Sequence, residues 1–315
     1  MKAIVIPQYG PPDVLQLAEI DKPIPKDNEI LIRVHAASVN PLDFHGLRGK
    51  PAFTRLQTGL LKPRNPRLGV DLAGTVEAVG KDVTRFRPGD EVFGARNGAF
   101  AEYVVTVGKA LATKPANATS EQAAAVPVAG FTALQGLRDK GQIRPGHKVL
   151  INGAAGGVGT FAVQIAKAFG ADVTGVTSTP NLDLVRGLGV ERVIDYTRED
   201  YTAGQSRYDL LFDCVGNHSL SANRRILSPG GIHVLVGGTL ARVLQAAALS
   251  RLGRRDLVFF IAQTNNEDLT VLKELIEAGQ VTPVIDRVYP LAETAAALRY
   301  SGEKQARGKV VVTLA

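Results

Sequence analysis

A glycine turn set between an apolar run and an amphipathic one is the part of this sequence best suited to chemistry. Lys148-Val149-Leu150-Ile151-Asn152 leads into Gly153-Ala154-Ala155-Gly156-Gly157-Val158-Gly159. Val158, Phe161, Ala162, Ile165, Ala166 and Phe169 then recur at helical spacing up to Gly170. Strand, tight turn, helix is the order a dinucleotide pyrophosphate needs. Side chains must be absent where backbone N–H groups approach the phosphates, and a helix N-terminus must face the negative charge. Glycine in such a turn can also be purely steric, so the flanking strand and helix carry the reading. Ala155, Gly156, Gly157 and Val158 are the expected phosphate contacts.

About twenty residues on, the second strand ends at Val176-Thr177-Ser178-Thr179-Pro180-Asn181, where an acid accepting from the ribose 2′-hydroxyl would mark an unphosphorylated carrier. No acid stands there, and Asp183 follows only after the next helix has begun. Ser178 and Thr179, with Pro180 set as an early helical residue, make an anion-ready turn, and Tyr196 and Arg198 are placed to close the same pocket. The expected cofactor is NADP(H) rather than NAD(H), against the bland alternative of an ordinary helix cap. Val215, Gly216, Val236, Gly237 and Gly238 fall at the C-terminal ends of the fourth and fifth strands, the crevice edge where such cofactors lie.

These residues need a βαβ scaffold. Apolar strands at 148–152, 172–178, 192–196, 208–214, 231–236 and 257–262 alternate with helical segments, which predicts a doubly wound parallel sheet and an α/β fold. The first 117 residues read differently, with strands at 3–6, 30–39, 71–79, 91–94 and 99–106 suited to a β-rich, partly open barrel. A basic, proline-punctuated loop at 51–66 interrupts them. Thr119-Ser120-Glu121-Gln122 is a capping-box pattern opening a helical run over 122–137 around Pro127. Further helices are expected at 240–252 and at 266–278, the latter with Leu269, Leu272, Leu275 and Ile276 on one face. The strand at 308–314 returns to the first sheet. The expected division is 1–117 plus 284–315 for one domain and 118–283 for the nucleotide-binding one.

Composition narrows the classes. The single cysteine, Cys214, excludes an internal disulfide and any zinc site built from several thiolates. No apolar run approaches the ~20 residues of a membrane-spanning helix. Met1-Lys2-Ala3-Ile4-Val5-Ile6-Pro7 is too short and too soon interrupted for a signal peptide, so a cytoplasmic location is expected. The net charge of +7 is spread along the chain. Only 251–255 and the loop holding Arg55, Lys62, Arg64 and Arg67 are locally dense, which suits a solvated basic surface better than a nucleic-acid site.

Seven segments together resemble the medium-chain dehydrogenase/reductase superfamily in its zinc-free quinone oxidoreductase branch, closest to the reticulon-interacting-protein type of NADPH oxidoreductase. They are 39–43 (Val-Asn-Pro-Leu-Asp), 68–76 (Leu-Gly-Val-Asp-Leu-Ala-Gly-Thr-Val), 86–94 (Phe-Arg-Pro-Gly-Asp-Glu-Val-Phe-Gly) and 98–103 (Gly-Ala-Phe-Ala-Glu-Tyr), followed by 130–133 (Gly-Phe-Thr-Ala), 154–159 (Ala-Ala-Gly-Gly-Val-Gly) and 308–311 (Gly-Lys-Val-Val). The resemblance spans essentially the whole chain. It implies a GroES-like substrate domain from both chain ends, a Rossmann domain between them, an active site in the cleft and a homodimer formed through edge strands of the nucleotide domain.

The departures select the chemistry. The related zinc alcohol dehydrogenases carry a ligand cysteine where Asn40 stands, a ligand histidine where Val70 stands and a third ligand near Val128. Asparagine and valine cannot build a tetrahedral N/S site, and His35 with His45 does not specify one, so no metal is expected. Without a Lewis acid to ease loss of an alcohol proton, the favoured reaction is hydride transfer from NADPH to a quinone or an α,β-unsaturated carbonyl.

The resemblance carries to Asn40 a hydrogen bond to the nicotinamide ribose or the substrate carbonyl, against the plain reading of an Asn-Pro turn. It carries to Thr132 a place beside the nicotinamide. His45 stands where relatives often have a tyrosine. Its imidazole suits proton donation near neutral pH, or it is simply a surface residue. Asp43 is expected to fix its loop, Phe260 to be core, and Cys214 to be a small hydrophobe. Tyr300-Ser301-Gly302-Glu303-Lys304 mimics a Tyr-x-x-x-Lys pair, but Gly302 and the lack of a partner serine make it a surface helix end. The rival functions are an RNA-binding or structural protein on the same fold, and a zinc-free NADP-dependent alcohol dehydrogenase.

Overall fold

Ile30, Ile32 and Val34 are buried at alternate positions of β3 (Glu29–Ser38), the strand that organises the first of two units in the computed structural model. Residues 1–50, 55–251, 256–303 and 306–314 are described. Unit one comprises Met1–Val128, Thr264–Glu277 and Pro283–Ala315, and unit two Ala129–Gln263 and Ala278–Thr282.

In unit one β3 is paired along both edges. It lies antiparallel to β4 (Asp71–Val79) on one side, and to β6 (Tyr103–Val107) and β15 (Lys309–Thr313) on the other. The sheet runs β14-β15-β3-β4-β5-β7, with β5 Glu91–Ala95, β7 Leu111–Thr113 and β14 Ile285–Pro290. A separate hairpin joins β1 (Lys2–Val5) to β2 (Gln16–Glu19). Leu72, Val92, Phe100, Leu111, Leu298, Val310 and Val312 complete the core. β15 therefore closes onto the sheet as the sequence predicts. Three short strands, β2, β7 and β14, escape sequence reading because they are three to six residues long with weak alternation. The expected strand at 99–106 begins only at Tyr103.

The segment after Asn40 is a helix, α1 (Pro41–Arg48), rather than a plain turn. Pro41 sits at its first position and Gly49 closes it in the left-handed region. A short α2 (Arg55–Thr58) follows. Residues 51–54 of the expected basic loop, 252–255 of the expected basic cluster, and Lys304 lie outside the described residues.

The expected capping box is present: Gln122 N–H donates to Thr119 Oγ1 at 3.2 Å and Thr119 N–H to Gln122 Oε1 at 3.0 Å. It opens α3 (Ser120–Ala124), which packs on β3 and β4. Pro127 splits the predicted run and starts a separate helix, α4 (Pro127–Gln135).

Unit two holds an all-parallel sheet in the order β10-β9-β8-β11-β12-β13. Its strands are β8 (Lys148–Asn152), β9 (Asp172–Thr177), β10 (Arg192–Asp195), β11 (Tyr208–Asp213), β12 (Leu227–Leu235) and β13 (Leu257–Phe259). This 3-2-1-4-5-6 order is that of dinucleotide-binding folds, with the reversal of direction between β8 and β11. α5 (Gly157–Ala168) packs on β8 and β9, α6 (Leu182–Gly187) on β9 and β10, α7 (Leu220–Arg225) on β12, and α8 (Leu240–Arg251) on β13. In unit one, α9 (Asn266–Glu277) buries Leu269, Leu272, Leu275 and Ile276 and lies on β7, and α10 (Thr294–Gly302) lies on β14 and β15. Among the described residues no helix is long and apolar enough to cross a membrane.

Candidate functional site

In unit two, β8 delivers the chain to Gly153, and Gly156 is the N-cap of α5. The N–H groups of the first turn, from Gly157 onward, have no acceptor within the helix. Two glycines here differ in kind. A Cβ at Gly159 would collide with the Gly153 carbonyl, so Gly159 is needed for packing. A Cβ at Gly156 would meet only the Gly153 carbonyl, at 3.4 Å, and the Gly156 backbone (φ −80°, ψ 172°) suits any residue. Its bareness serves nothing in the protein's own packing. What it leaves is an open cradle over a helix N-terminus, which fits a pyrophosphate. Ala155 is buried behind it, while Gly156, Gly157 and Val158 are half-buried.

A buried polar network that sequence reading missed lies where the strand order reverses. The Asp213 carboxylate, at the end of β11, takes five donors. Oδ1 accepts from Asn152 Nδ2 (2.8 Å), Val215 N–H (3.1 Å) and Gly216 N–H (2.8 Å), and Oδ2 from Asn223 Nδ2 (3.3 Å) and His233 Nε2 (3.3 Å). Tyr201 Oη donates to Asn223 Oδ1 at 3.1 Å, and Asn152 Nδ2 also reaches Asn217 Oδ1 at 2.9 Å. Burial alone would push Asp213 up, but the bonds from His233, Gly216 and Val215 hold its carboxyl below the usual range. The signal that could have found it is a polar residue closing an apolar run in each of two strands, Asn152 after Val149-Leu150-Ile151 and Asp213 after Leu210-Leu211-Phe212.

The network fixes the Val215–Gly216 turn. Gly216 has φ +65°, and a Cβ there would stand 2.7 Å from the Gly237 carbonyl. Gly237 in turn abuts the Cys214 carbonyl, so both glycines are accounted for by the close packing of two strand ends. Gly238 follows with φ +130°, Val236 donates its N–H to the Asp213 carbonyl, and Val215 is exposed. Thr132 is half-buried on α4. Burial and the neighbouring Asp213 push the Cys214 thiol up, which makes it a poor nucleophile.

At the end of β9, the Ser178 hydroxyl accepts from Asn181 Nδ2 at 3.2 Å. Thr179 Oγ1 donates to Asp195 Oδ2 at 2.6 Å, Tyr196 is exposed, and Arg198 Nε lies 3.7 Å from Asp195 Oδ2. The turn nominated from sequence therefore has a carboxylate beside it, brought by the neighbouring strand.

In unit one, Asn40 is buried at the head of α1. Its Nδ2 donates to Asp71 Oδ2 (2.9 Å) and to the Ser38 carbonyl (3.2 Å), and its Oδ1 accepts from Lys309 Nζ (2.6 Å). Lys309 Nζ also donates to the Val39 carbonyl (3.2 Å) and stands 3.4 Å from Asp71 Oδ2, which uses all three ammonium protons. Asp71 accepts in addition from Ser38 Oγ (2.8 Å) and Val128 N–H (3.0 Å). Asp43 Oδ2 accepts the Asn40 N–H at 2.7 Å, so Asp43 fixes the backbone as expected, and its Oδ1 has no hydrogen-bond partner among the described residues. Burial pushes the Asp43 carboxyl up to about 7, and burial holds the Lys309 ammonium below its usual range against the pull of Asp71. Both amide protons of Asn40 are thus committed internally, and one lone pair of Oδ1 remains.

The zinc positions of the resembling dehydrogenases do not fit zinc here. Asn40 is bound to an ammonium, Val70 is aliphatic, and Val128 offers only its backbone. Among the described residues no group of three or more His, Cys, Asp or Glu side chains could hold a metal ion. His35 Nε2 is instead 2.8 Å from Thr75 Oγ1, and His45 is exposed on α1. The Tyr300 hydroxyl donates to Asp286 Oδ2 at 2.7 Å near the end of α10, consistent with a structural role.

Residues 188–312 match the zinc-binding dehydrogenase family model and residues 26–116 the alcohol dehydrogenase GroES-like domain model. The chain is 35% identical, over 99% of its length and 79% of the relative's, to a 2-methylene-furan-3-one reductase of Solanum lycopersicum. It is 33% identical over its full length, and 89% of the relative's, to the mitochondrial NAD(P)H oxidoreductase RTN4IP1 of Mus musculus. The solved quinone oxidoreductase of Coxiella burnetii superposes with a TM-score of 0.90 at 32% identity, covering 100% of this chain and 99% of that one.

Proposed function

The chain belongs to the medium-chain dehydrogenase/reductase superfamily, and from that membership we propose that it is an NADPH-dependent oxidoreductase that reduces a quinone or an α,β-unsaturated carbonyl without zinc. The observation that supports the zinc-free part is the donor set in unit one: Asn40 is bonded to the Lys309 ammonium and Val70 is aliphatic. Two of the similar proteins, a 2-methylene-furan-3-one reductase and a quinone oxidoreductase, support the acceptor class.

When bound, the reduced nicotinamide supplies a hydride. The chain's own residues bind and orient. The first-turn N–H groups of α5, uncovered at Gly156, hold the pyrophosphate, and Asp213 holds the Val215–Gly216 turn in one conformation. Thr132, Val236, Gly237 and Gly238 border the nicotinamide in this reading. Asn40 offers its remaining Oδ1 lone pair to a hydroxyl donor. An enone accepting hydride at its β-carbon needs a proton at its α-carbon, and exposed His45 is the proposed donor. An acceptor that is already electron-poor needs no Lewis acid, whereas an alcohol must first lose its hydroxyl proton.

Functionally, 118–283 is the proposed nucleotide domain and 1–117 with 284–315 the acceptor domain. A cytoplasmic homodimer is proposed, pairing through the sheet edge at β13. The test is loss of NADPH absorbance with a panel of quinones and enones, before and after exhaustive chelation. Turnover that survives chelation supports the proposal. Activity confined to alcohols and dependent on added zinc overturns it, as does salt-dependent RNA binding with no turnover.

A further inference from the structure

The end of β9 is where a dinucleotide's adenosine ribose is read, an acid favouring the 2′-hydroxyl and a basic group the 2′-phosphate. Asp195 reaches this turn from the adjacent strand: β10 runs parallel to β9 with Asp195 opposite Thr177, and Tyr196 N–H donates to the Thr177 carbonyl at 3.0 Å. Its carboxylate is only 10% exposed. Oδ2 accepts from Thr179 Oγ1 (2.6 Å), and Oδ1 accepts from Thr197 N–H (3.0 Å) and Thr197 Oγ1 (2.7 Å). Thr179 Oγ1 and Thr197 Oγ1 also lie 2.9 Å apart, and a hydroxyl has one proton, so both protons are used within this cluster and the two threonines present only lone pairs to a ligand. The bond from Thr179 leads the contacts that hold the carboxyl below the usual range, so it stays charged. The nearest compensating charge, Arg198, is a loose pair whose side chain is 78% exposed.

We propose that Asp195 is the residue that sets how far this site prefers the 2′-phosphorylated carrier: it withdraws the Thr179 proton and places a negative charge beside a phosphate that Ser178, Tyr196 and Arg198 would otherwise favour. The wild-type site on this account takes both carriers, with a narrow margin for NADPH. The inference rests on the nucleotide-binding reading of unit two, and it concerns discrimination rather than turnover.

The experiment is titration calorimetry of the full chain with NADPH, NADH, adenosine 2′,5′-bisphosphate and adenosine 5′-monophosphate, for wild type and Asp195→Asn. Removing one charge close to an anion is expected to tighten NADPH and the bisphosphate about tenfold. NADH and the monophosphate should stay within about twofold, since they lack the second anion. Asp195→Ser, which removes the charge with a different side chain, must shift affinities in the same direction, and thermal melts identify a variant that has lost its fold. Equal shifts for phosphorylated and unphosphorylated ligands, or no shift in either variant, overturn the assignment of Asp195 while leaving nucleotide binding intact. If wild type binds none of the four, the nucleotide-binding reading fails and this inference falls with it.

Discussion

Lys309→Met is the substitution that tests the buried cluster most directly. Lys309 is 3% exposed, Asp71 0% and Asn40 1%, so water cannot replace the lost ammonium. Methionine fills similar volume, which limits the cavity contribution. The Asp71 carboxylate would keep three neutral donors, Ser38, Asn40 and Val128, but no counter-charge. Breaking a buried pair from one side costs about 3–5 kcal/mol. The cost should fall on unit one, because all five residues lie there. Urea unfolding followed by a probe in each unit should show unit one melting earlier, with a separate transition where the two units uncouple. Adding Asp71→Asn should restore much of the loss, since the neutral amide no longer needs the ammonium, and the double-mutant cycle should show coupling above ~1 kcal/mol. A Lys309→Met variant that loses less than ~1 kcal/mol, or one that Asp71→Asn fails to rescue, would refute the idea that the ammonium compensates this cluster.

Other outcomes follow from the same geometry. Gly156→Val should keep the melting temperature within a few degrees while weakening NADPH binding at least tenfold, because only the cradle is filled; Gly159→Ala should unfold the unit more easily, as its Cβ meets the Gly153 carbonyl. The Asp43 carboxyl, raised from 3.8 to about 7, has a higher pKa folded than unfolded. Its stabilising contribution is therefore complete below about pH 4 and lost as pH rises through about 7, so urea midpoints should decline over that window and flatten in Asp43→Asn. His45→Gln should lower kcat for an enone by roughly tenfold or more, with NADPH affinity unchanged by titration, if the imidazole supplies the α-carbon proton.

Local order made much of the protein legible. The run from Lys148 to Gly159 specifies strand, turn and helix within a dozen residues, and Thr119 with Gln122 specifies a helix start within four, because backbone bonding and capping are settled between near neighbours. The α1 helix was masked by Asn40-Pro41, which reads equally well as a turn. Proline in the first helical turn and the bond from the Asn40 N–H to Asp43 decide for the helix.

The partners of the charged residues were of a different kind. Asn40 and Lys309 are separated by 269 residues and Asp71 and Lys309 by 238, while Asp195 ends the strand beside the one whose following turn holds Thr179. By itself the sequence determined the parallel sheet, the glycine cradle and the asparagine and valine at positions 40 and 70, since each is a property of residue identity or short spacing. Only the tertiary structure decided that the Lys309 ammonium meets Asn40 and Asp71, that Asp213 gathers five donors, and that a carboxylate stands beside Thr179. Such pairings depend on which chain segments the sheets bring side by side, and electrostatics acts through space rather than along the chain.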